Sequence, residues 1–413
     1  MDVSRIKIVI IGLEYAGLSS VRLSATQYFT IGLYQNALRV AALQKKQEAI
    51  TAWEKKMQSL LFVPSSPLYT IHIEEIRDYN VHIVAVPAPV DRDNRPDLIP
   101  LIEASRTVGR GITAGNVVIY ESPVHPGAPE EECLPVVEQV SGLQLNQNFY
   151  AGYSPERINS GDKEHTVEKI TKVISGSTPE AAEFIDTLYN SVLKNGTYKA
   201  PCVKVVEAAK IVENAQKDVN IAFMKERAKT FDAMGIDSHQ ILAAAATKWN
   251  FLPFHPGLVG GHCIGVDSYS LIEKAQRTGY QPRLLMEAGA VNNSMGEYYA
   301  TELIRQMILA GISVKDARIL ILGFAFKPNC ADFRNTKVVD IYNTLNTYNV
   351  AQIVVCDPFV SREEVYAMYG IEVETSLSSP LEEHDVVFLI VAHHSFLCLF
   401  LSCPKRRDVS LLI

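Results

Sequence analysis

Several common functional classes are excluded by what the sequence lacks. Its seven cysteines stand far apart, at positions 133, 202, 263, 330, 356, 398 and 403, and no two are spaced C-x-x-C. His262 and Cys263 are adjacent, but no second ligand pair stands at metal spacing, so no metal centre is expected. An odd number of scattered thiols suits a reducing compartment better than a disulfide framework. Basic residues are not in excess: Lys and Arg number 39 against 46 Asp and Glu, a net charge of -7, which argues against a nucleic-acid partner. The basic cluster Lys405-Arg406-Arg407 reads as a solvated tail. Residues Met1 to Lys7 hold no apolar signal-peptide core, and a cytoplasmic location is expected. The apolar run Val386 to Cys403 is interrupted by His393 and His394; it reads as a buried strand and a short apolar segment, not as a membrane span. No short-period repeat or low-complexity segment is visible.

What remains is an ordinary globular composition, 47% apolar and 21% charged over 413 residues, long enough for two or three domains. Arg5 to Ile11 is an apolar strand that runs into Gly12-Leu-Glu-Tyr-Ala-Gly17 and a helix. Strand, glycine turn and helix form the dinucleotide-binding arrangement, in which a helix N-terminus accepts a pyrophosphate. The fingerprint G-x-G-x-x-G is incomplete, because Glu14 takes the second glycine position and adds negative charge where the ligand is negative. The strand Phe29 to Leu33 should end in an acidic residue for the adenine ribose, and Tyr34 stands there.

Further strands are expected at Val81 to Val86, Asn116 to Tyr120 and Phe149 to Tyr153, separated by helix-length segments. That alternation predicts a parallel sheet covered on both faces, with Ser122 and Glu156 just beyond strand ends where such sheets bind ligands. Glu156 is equally compatible with a solvated loop carboxylate. From Val205 to Met234 there is no proline or glycine and the apolar spacing is helical, so one long helix is predicted. Lys210 and Asn214 share a face of it, and its apolar residues exceed what one face needs, which suits a dimerisation spine. Further helix is expected from Ile236 to Trp249. A second α/β unit then begins after Gly311, with strands at Ala317 to Gly323, Ile353 to Cys356 and Asp385 to Val391.

Between these units lies Gly257-Leu-Val-Gly-Gly-His-Cys-Ile-Gly-Val-Asp267, with four glycines in its first nine residues. Glycines permit a backbone that closely approaches a ligand. Cys263 in that turn, with Asp267 four residues on, is either a nucleophile with a charge nearby or a buried structural thiol.

Seven motifs in order carry a resemblance: Gly12 to Leu18, Val86-Pro-Ala-Pro89, Gly152-Tyr-Ser-Pro-Glu-Arg-Ile158, Glu207-Ala-Ala-Lys-Ile-Val-Glu-Asn214, Thr247-Lys-Trp-Asn-Phe251, Gly257 to Asp267, and Phe326-Lys327 with Asp332-Phe-Arg-Asn335. The chain resembles the UDP-glucose/GDP-mannose dehydrogenase family from end to end, and within it the bacterial branch acting on UDP-N-acetylhexosamines. The resemblance implies an α/β protein with two Rossmann-like parallel-sheet domains joined by a central helical dimerisation segment. The domains would be residues 1–200 for NAD, 201–310 helical with the catalytic loop, and 311–413 for the nucleotide sugar. It implies NAD-dependent oxidation of carbon 6 of a UDP-sugar to a carboxylate, through a cysteine thiohemiacetal and thioester, by a homodimer serving surface-polysaccharide synthesis. UDP-glucose is the alternative substrate, and a cofactor-impaired binding relative the alternative role.

By that resemblance Cys263 is the nucleophile, Lys210 and Asp267 stabilise the oxyanion and order a water, Asn214 joins their network, and Glu156 is the general base. The cofactor would meet Gly12, Leu13, Ala16, Gly17, Arg39, Val86, Pro87, Ser122 and Arg334, and the substrate Arg157, Phe254, Gly257, Gly260 and Lys327. These residue types suit the chemistry: a thiolate attacks an aldehyde, a lysine offsets oxyanion charge, and a carboxylate activates the hydrolytic water. Departures from the family pattern are Glu14, Tyr34, Pro123 and Ala88 for threonines, Ser268 and Ser270 after Asp267, and Gly289-Ala290 for an arginine pair. The segment Leu397 to Ile413 does not resemble the family's closing strand and helix, so the third domain reads as shortened.

Overall fold

The computed structural model describes residues 6–45, 67–89, 95–157, 169–261, 264–402 and 411–412. The chain divides into two compact units, Met1–Asn214 with Tyr269–Tyr280, and Ala215–Ser268 with Gln281–Ile413.

The first unit is built on an eight-stranded sheet. Its strands are β1 (Lys7–Ile11), β2 (Phe29–Leu33), β3 (Leu68–Thr70), β4 (Val81–Val84), β5 (Val117–Tyr120), β6 (Tyr150–Tyr153), β7 (Lys172–Gly176) and β8 (Thr197–Lys199). Their spatial order is β3-β2-β1-β4-β5-β6-β7-β8. All neighbours are parallel except β6 and β7. Alternate residues of the central strands feed opposite cores. Val9 and Ile11 of β1 join Val84, Val118 and Tyr120 on one side. Ile8 and Ile10 join Val81, Ile83, Val117 and Ile119 on the other. Strands buried on both faces must be apolar at successive positions, which is why these runs were recognisable without a period-two pattern.

Strand order reverses direction about β1, so the crevice of the sheet opens at the carboxyl ends of β1 and β4. Gly12 stands there with φ +102°, and a Cβ on it would lie 2.8 Å from the Ala85 carbonyl oxygen. The helix Tyr15–Ser24 follows directly. Gly17 in its first turns lies over the same backbone, and a Cβ there would meet the Gly12 oxygen at 1.9 Å. The first and third fingerprint glycines are therefore steric requirements of the fold.

The helix Val203–Ala233 spans 31 residues, begins in the first unit and ends in the second. Beyond it the sequence-predicted helix from Ile236 is confined to Ser238–Ala245. The second unit carries a four-stranded parallel sheet of β9 (Arg318–Leu322), β10 (Gln352–Cys356), β11 (Val386–Leu389) and β12 (Leu411–Leu412), in the order β10-β9-β11-β12. Ile319, Ile321, Val355, Val386 and Phe388 face one core, and Leu320, Leu322, Cys356, Val387 and Leu389 the other. The apolar run from Val386 resolves into β11 and a helix, His394–Ser402. Among the described residues no helix is long and apolar enough to cross a membrane.

Gly12→Ala should destabilise the first unit by about 1–3 kcal/mol, from a strained positive φ and the clash with Ala85. Denaturant unfolding of the variant beside the unmodified protein checks this, and an unchanged midpoint would contradict it.

Candidate active site

At the carboxyl end of β1 the cofactor cradle is formed by backbone. Leu13 is fully buried, Val86, Pro87 and Ala16 are half-buried, and an Arg39 guanidinium nitrogen donates to the Leu13 carbonyl oxygen at 3.3 Å. Glu14 caps the helix Tyr15–Ser24 with φ -80°, a conformation open to any residue, so the second fingerprint position has lost its glycine without strain. The Tyr34 hydroxyl at the end of β2 donates to Glu14 Oε1 at 3.4 Å, so the two departures from the fingerprint face one another. The steric demands at Gly12 and Gly17 and the helix N-terminus fit a dinucleotide. The carboxylate of Glu14, beside that helix N-terminus, opposes a pyrophosphate.

Beyond β5 the chain runs Glu121-Ser122-Pro123. Ser122 Oγ donates to the Val86 carbonyl oxygen at 2.6 Å, tying the ends of β4 and β5 together. The buried Tyr153 hydroxyl donates to the Ser122 oxygen at 2.9 Å. Glu121 is a buried carboxylate that sequence reasoning passed over. Lys172 Nζ lies 3.0 Å from Glu121 Oε1 and 3.6 Å from Glu156 Oε2. Ser20 and Tyr189 hydroxyls donate to the two Glu121 oxygens at 2.6 and 2.7 Å. Burial opposes the charge on Lys172, but the two carboxylates outweigh it and raise the ammonium above its ordinary range. Glu156 is thus held in a buried charge cluster, not solvated, and its Oε1 accepts the Arg157 amide at 2.7 Å. Arg157 itself pairs with Glu213 through Nη2 at 2.5 Å. The signal for this cluster was faint: Lys172 is 51 residues from Glu121, and nothing local pairs them.

On the central helix Lys210 and Asn214 are 7% and 3% exposed. Four residues apart, they share one buried face, where solvated polar residues would otherwise be the rule. One turn earlier Glu207 is fully buried, and its Oε2 accepts the Gly127 amide at 2.7 Å. Burial pushes its carboxyl up to about 8, against that amide's pull.

In the second unit, the glycine-rich loop is docked on the segment after β9. The Gly261 amide donates to the Arg334 carbonyl oxygen at 2.9 Å, and Asn335 Nδ2 donates to the Gly261 oxygen at 3.2 Å. A Cβ on Gly260 would stand 2.9 Å from both the Asn335 oxygen and Phe326 Cβ, and one on Gly261, at φ +78°, would press on the Phe326 ring at 3.0 Å. Gly257 has open space around it, and Phe254 is half-buried. Cys263 and His262 lie outside the described residues. Asp267 is 2% exposed in the first turn of the helix Ile264–Arg277. Lys327 Nζ lies 5.4 Å from the Phe326 ring centroid, and Arg334 makes a two-pronged pair with Asp332, Nε to Oδ1 at 3.0 Å and Nη2 to Oδ2 at 2.7 Å. Burial pushes the thiols of Cys133 and Cys356 up to about 12, so neither is a nucleophile at neutral pH. Sequence reading also missed Lys225, which is fully buried and donates to Asn292 Oδ1 at 2.8 Å. Asn292 in turn donates to Asp218 Oδ1 at 2.5 Å, and burial lowers Lys225 to about 7.

Glu207 gives a signed pH dependence. Between the ordinary 4.5 and about 8 the folded carboxyl holds a proton that the unfolded one has lost. Stability therefore falls as pH rises through that window, and is relieved of the penalty only below it. Thermal melting between pH 5 and 8.5 should show this slope, and Glu207→Gln should flatten it. An identical slope in the variant would contradict the assignment.

Known proteins match the chain in three consecutive segments. The NAD binding domain of the UDP-glucose/GDP-mannose dehydrogenase family matches residues 6–193, its central domain residues 204–294, and its UDP binding domain residues 320–406. The UDP-N-acetyl-D-glucosamine 6-dehydrogenase of Pseudomonas aeruginosa is 46% identical, over 95% of this chain and 91% of that one. The Salmonella typhi protein of the same name is 43% identical over the same shares. The solved UDP-D-ManNAc dehydrogenase of Pyrococcus horikoshii superposes with a TM-score of 0.83 at 26% identity, covering 95% of this chain and 90% of that one. A buried lysine and asparagine on the central helix, a glycine loop docked where no Cβ fits, and three family domains in order have one common explanation: this chain belongs to the UDP-glucose/GDP-mannose dehydrogenase family, with its NAD binding, central and UDP binding domains in sequence.

Proposed function

We propose that the protein oxidises carbon 6 of a UDP-N-acetylhexosamine, UDP-N-acetylglucosamine foremost, to the uronic acid, and that it supplies this anionic sugar for surface-polysaccharide synthesis. The observation that carries the reading is the burial of Lys210 and Asn214, one turn apart on the central helix. A buried lysine needs a paired charge and a buried amide needs hydrogen bonds, and a substrate oxyanion beside this face is a partner for both. The names of the relatives at 46% and 43% identity support the choice of sugar.

NAD would be held by Gly12, Leu13, Ala16, Gly17, Arg39, Val86, Pro87, Ser122 and Arg334, and would supply the hydride acceptance that the alcohol-to-carboxylate change requires twice. The chain's own residues do the rest. Cys263 adds its sulfur to the aldehyde carbon, giving a thiohemiacetal, and oxidation of that adduct gives a thioester. Water then attacks the thioester carbonyl; the carbon–sulfur bond breaks, the carboxylate leaves, and the thiol is restored. Lys210 and Asp267 stabilise the oxyanion formed at each addition and order the water, with Asn214 in their network. Glu156 takes the water's proton. The Lys172 ammonium lies 3.6 Å from Glu156 Oε2 and fixes that carboxylate in place. Arg157, Phe254, Gly257, Gly260 and Lys327 hold the UDP-sugar. The protein works as a cytoplasmic homodimer through the central helix, a reading supported by Val212 and Phe223 on that helix, which are 60% and 59% exposed.

The Glu14–Tyr34 pair favours a second reading, a relative that binds UDP-sugar but has lost cofactor affinity. Calorimetric titration of each ligand separates the two, since only the second reading expects UDP-sugar binding without NAD binding. For the first, an NADH assay over a panel of UDP-sugars should give the highest kcat/KM with a UDP-N-acetylhexosamine. Cys263→Ala should lower kcat by at least about a thousandfold, the scale of losing an activated nucleophile. No NADH with any UDP-sugar from the folded protein would overturn the proposal.

A further inference from the structure

The second unit contains a buried histidine that the chemistry above does not use. His393 follows β11 and is fully buried, as is Asp357 at the end of β10. The two are joined, His393 Nε2 to Asp357 Oδ2, at 2.9 Å. Asp357 is otherwise saturated by backbone: its Oδ2 accepts the amides of Phe324 and Ala325 at 2.7 and 2.8 Å, and its Oδ1 that of Phe359 at 2.8 Å. Burial would raise its pKa, but the bond from His393 and the amides outweigh burial and hold the carboxyl low. A charged acceptor on one side requires a proton on His393 Nε2. The Asn329 amide donates to His393 Nδ1 at 2.8 Å, which requires that nitrogen to be bare. Together these bonds fix one neutral tautomer.

The far end of this relay is a strained residue. Asn329 has φ +57°, uncommon for a side-chain-bearing residue, and such a conformation persists only where its surroundings over-determine it. His393 holds its amide, and the backbone amide of His394 donates to Asn329 Oδ1 at 3.1 Å. Asn329 is two residues beyond Lys327. Both lie on the loop that leaves β9, and His393 on the loop that leaves β11. In the order β10-β9-β11-β12 the connections diverge between β9 and β11, the place where open parallel sheets bind their ligands. The imidazole is wedged beside Phe359, with ring centroids 4.8 Å apart, and Phe396 at 5.4 Å, so it cannot turn to another partner without disturbing them.

We infer that His393 is a positioning residue: its bare Nδ1, with the tautomer set by Asp357, holds the Asn329 turn and so places Lys327 for the diphosphate of the UDP-sugar. This rests on the reading of Lys327 as a substrate contact. His393 itself touches neither sugar nor cofactor.

Two substitutions separate the halves of the relay. Asn places a carbonyl oxygen at the reach of Nδ1, so His393→Asn keeps the acceptor for Asn329 and loses the link to Asp357. Gln places an amide at the reach of Nε2, so His393→Gln keeps that link and loses the acceptor. Calorimetry with UDP alone and steady-state kinetics are the readouts. The inference expects His393→Gln to weaken UDP binding and raise KM for the UDP-sugar about tenfold, the scale of one lost hydrogen bond. Its KM for NAD and its kcat should stay within about threefold, and His393→Asn should bind UDP within about threefold of the unmodified protein. Equal behaviour of the two variants, shifted or not, would overturn it. Hydrogen exchange on the unmodified protein tests it without any substitution: the Asn329 amide should be protected, and more so with UDP, whereas fast exchange unaffected by UDP overturns it. Failure of the unmodified protein to bind UDP would instead overturn the functional reading beneath it.

Discussion

The constraint on which the glycine-rich loop depends is the absence of room at Gly260 and Gly261. Their backbone lies so close to Asn335 and the Phe326 ring that no side chain fits, and two hydrogen bonds fasten Gly261 to Arg334 and Asn335. The loop that leads to Cys263 is thereby anchored to the segment that leads from Lys327. Asn335 is also held at φ +53°, so the anchor is strained on one side and glycine-dependent on the other.

Charge burial follows the same economy. Lys172 sits between Glu121 and Glu156, Glu207 accepts an amide from Gly127, and Lys225 reaches Asn292. Each withdraws an ionisable group from water, and each has a partner that fixes a loop or a helix face. The cluster around Lys172 fixes Glu156 just beyond the end of β6. The Asp357–His393 pair does the corresponding work for a backbone turn, with the charge absorbed by three amides and an imidazole.

Much of the fold was legible because both sheets are covered on both faces. Runs such as Ile8 to Ile11 and Ile319 to Leu322 cannot be anything but buried strands next to glycine turns. The central helix was legible from thirty residues without glycine or proline. The antiparallel step between β6 and β7 was not, because it depends on how a short strand beginning at Lys172 returns to the sheet, and Lys172 looks polar in isolation. Of the site, Lys210, Asn214 and Asp267 were singled out and are all buried. Glu121, Glu207 and His393 were not, because their partners are 51, 80 and 64 residues away, and long-range polar pairing leaves no local pattern. Glu14 and Tyr34 were each noticed as departures; that they face one another emerges only when β1 and β2 lie side by side.

A covalent cysteine mechanism makes one demand that a simple alcohol dehydrogenase does not: the aldehyde must be held, not released. The most direct test is stoichiometry. With limiting UDP-N-acetylglucosamine and excess NAD, two NADH should form for each UDP-sugar consumed, the product should be the uronic acid, and an added carbonyl trap should capture no aldehyde. One NADH per sugar with free aldehyde accumulating would contradict the covalent account.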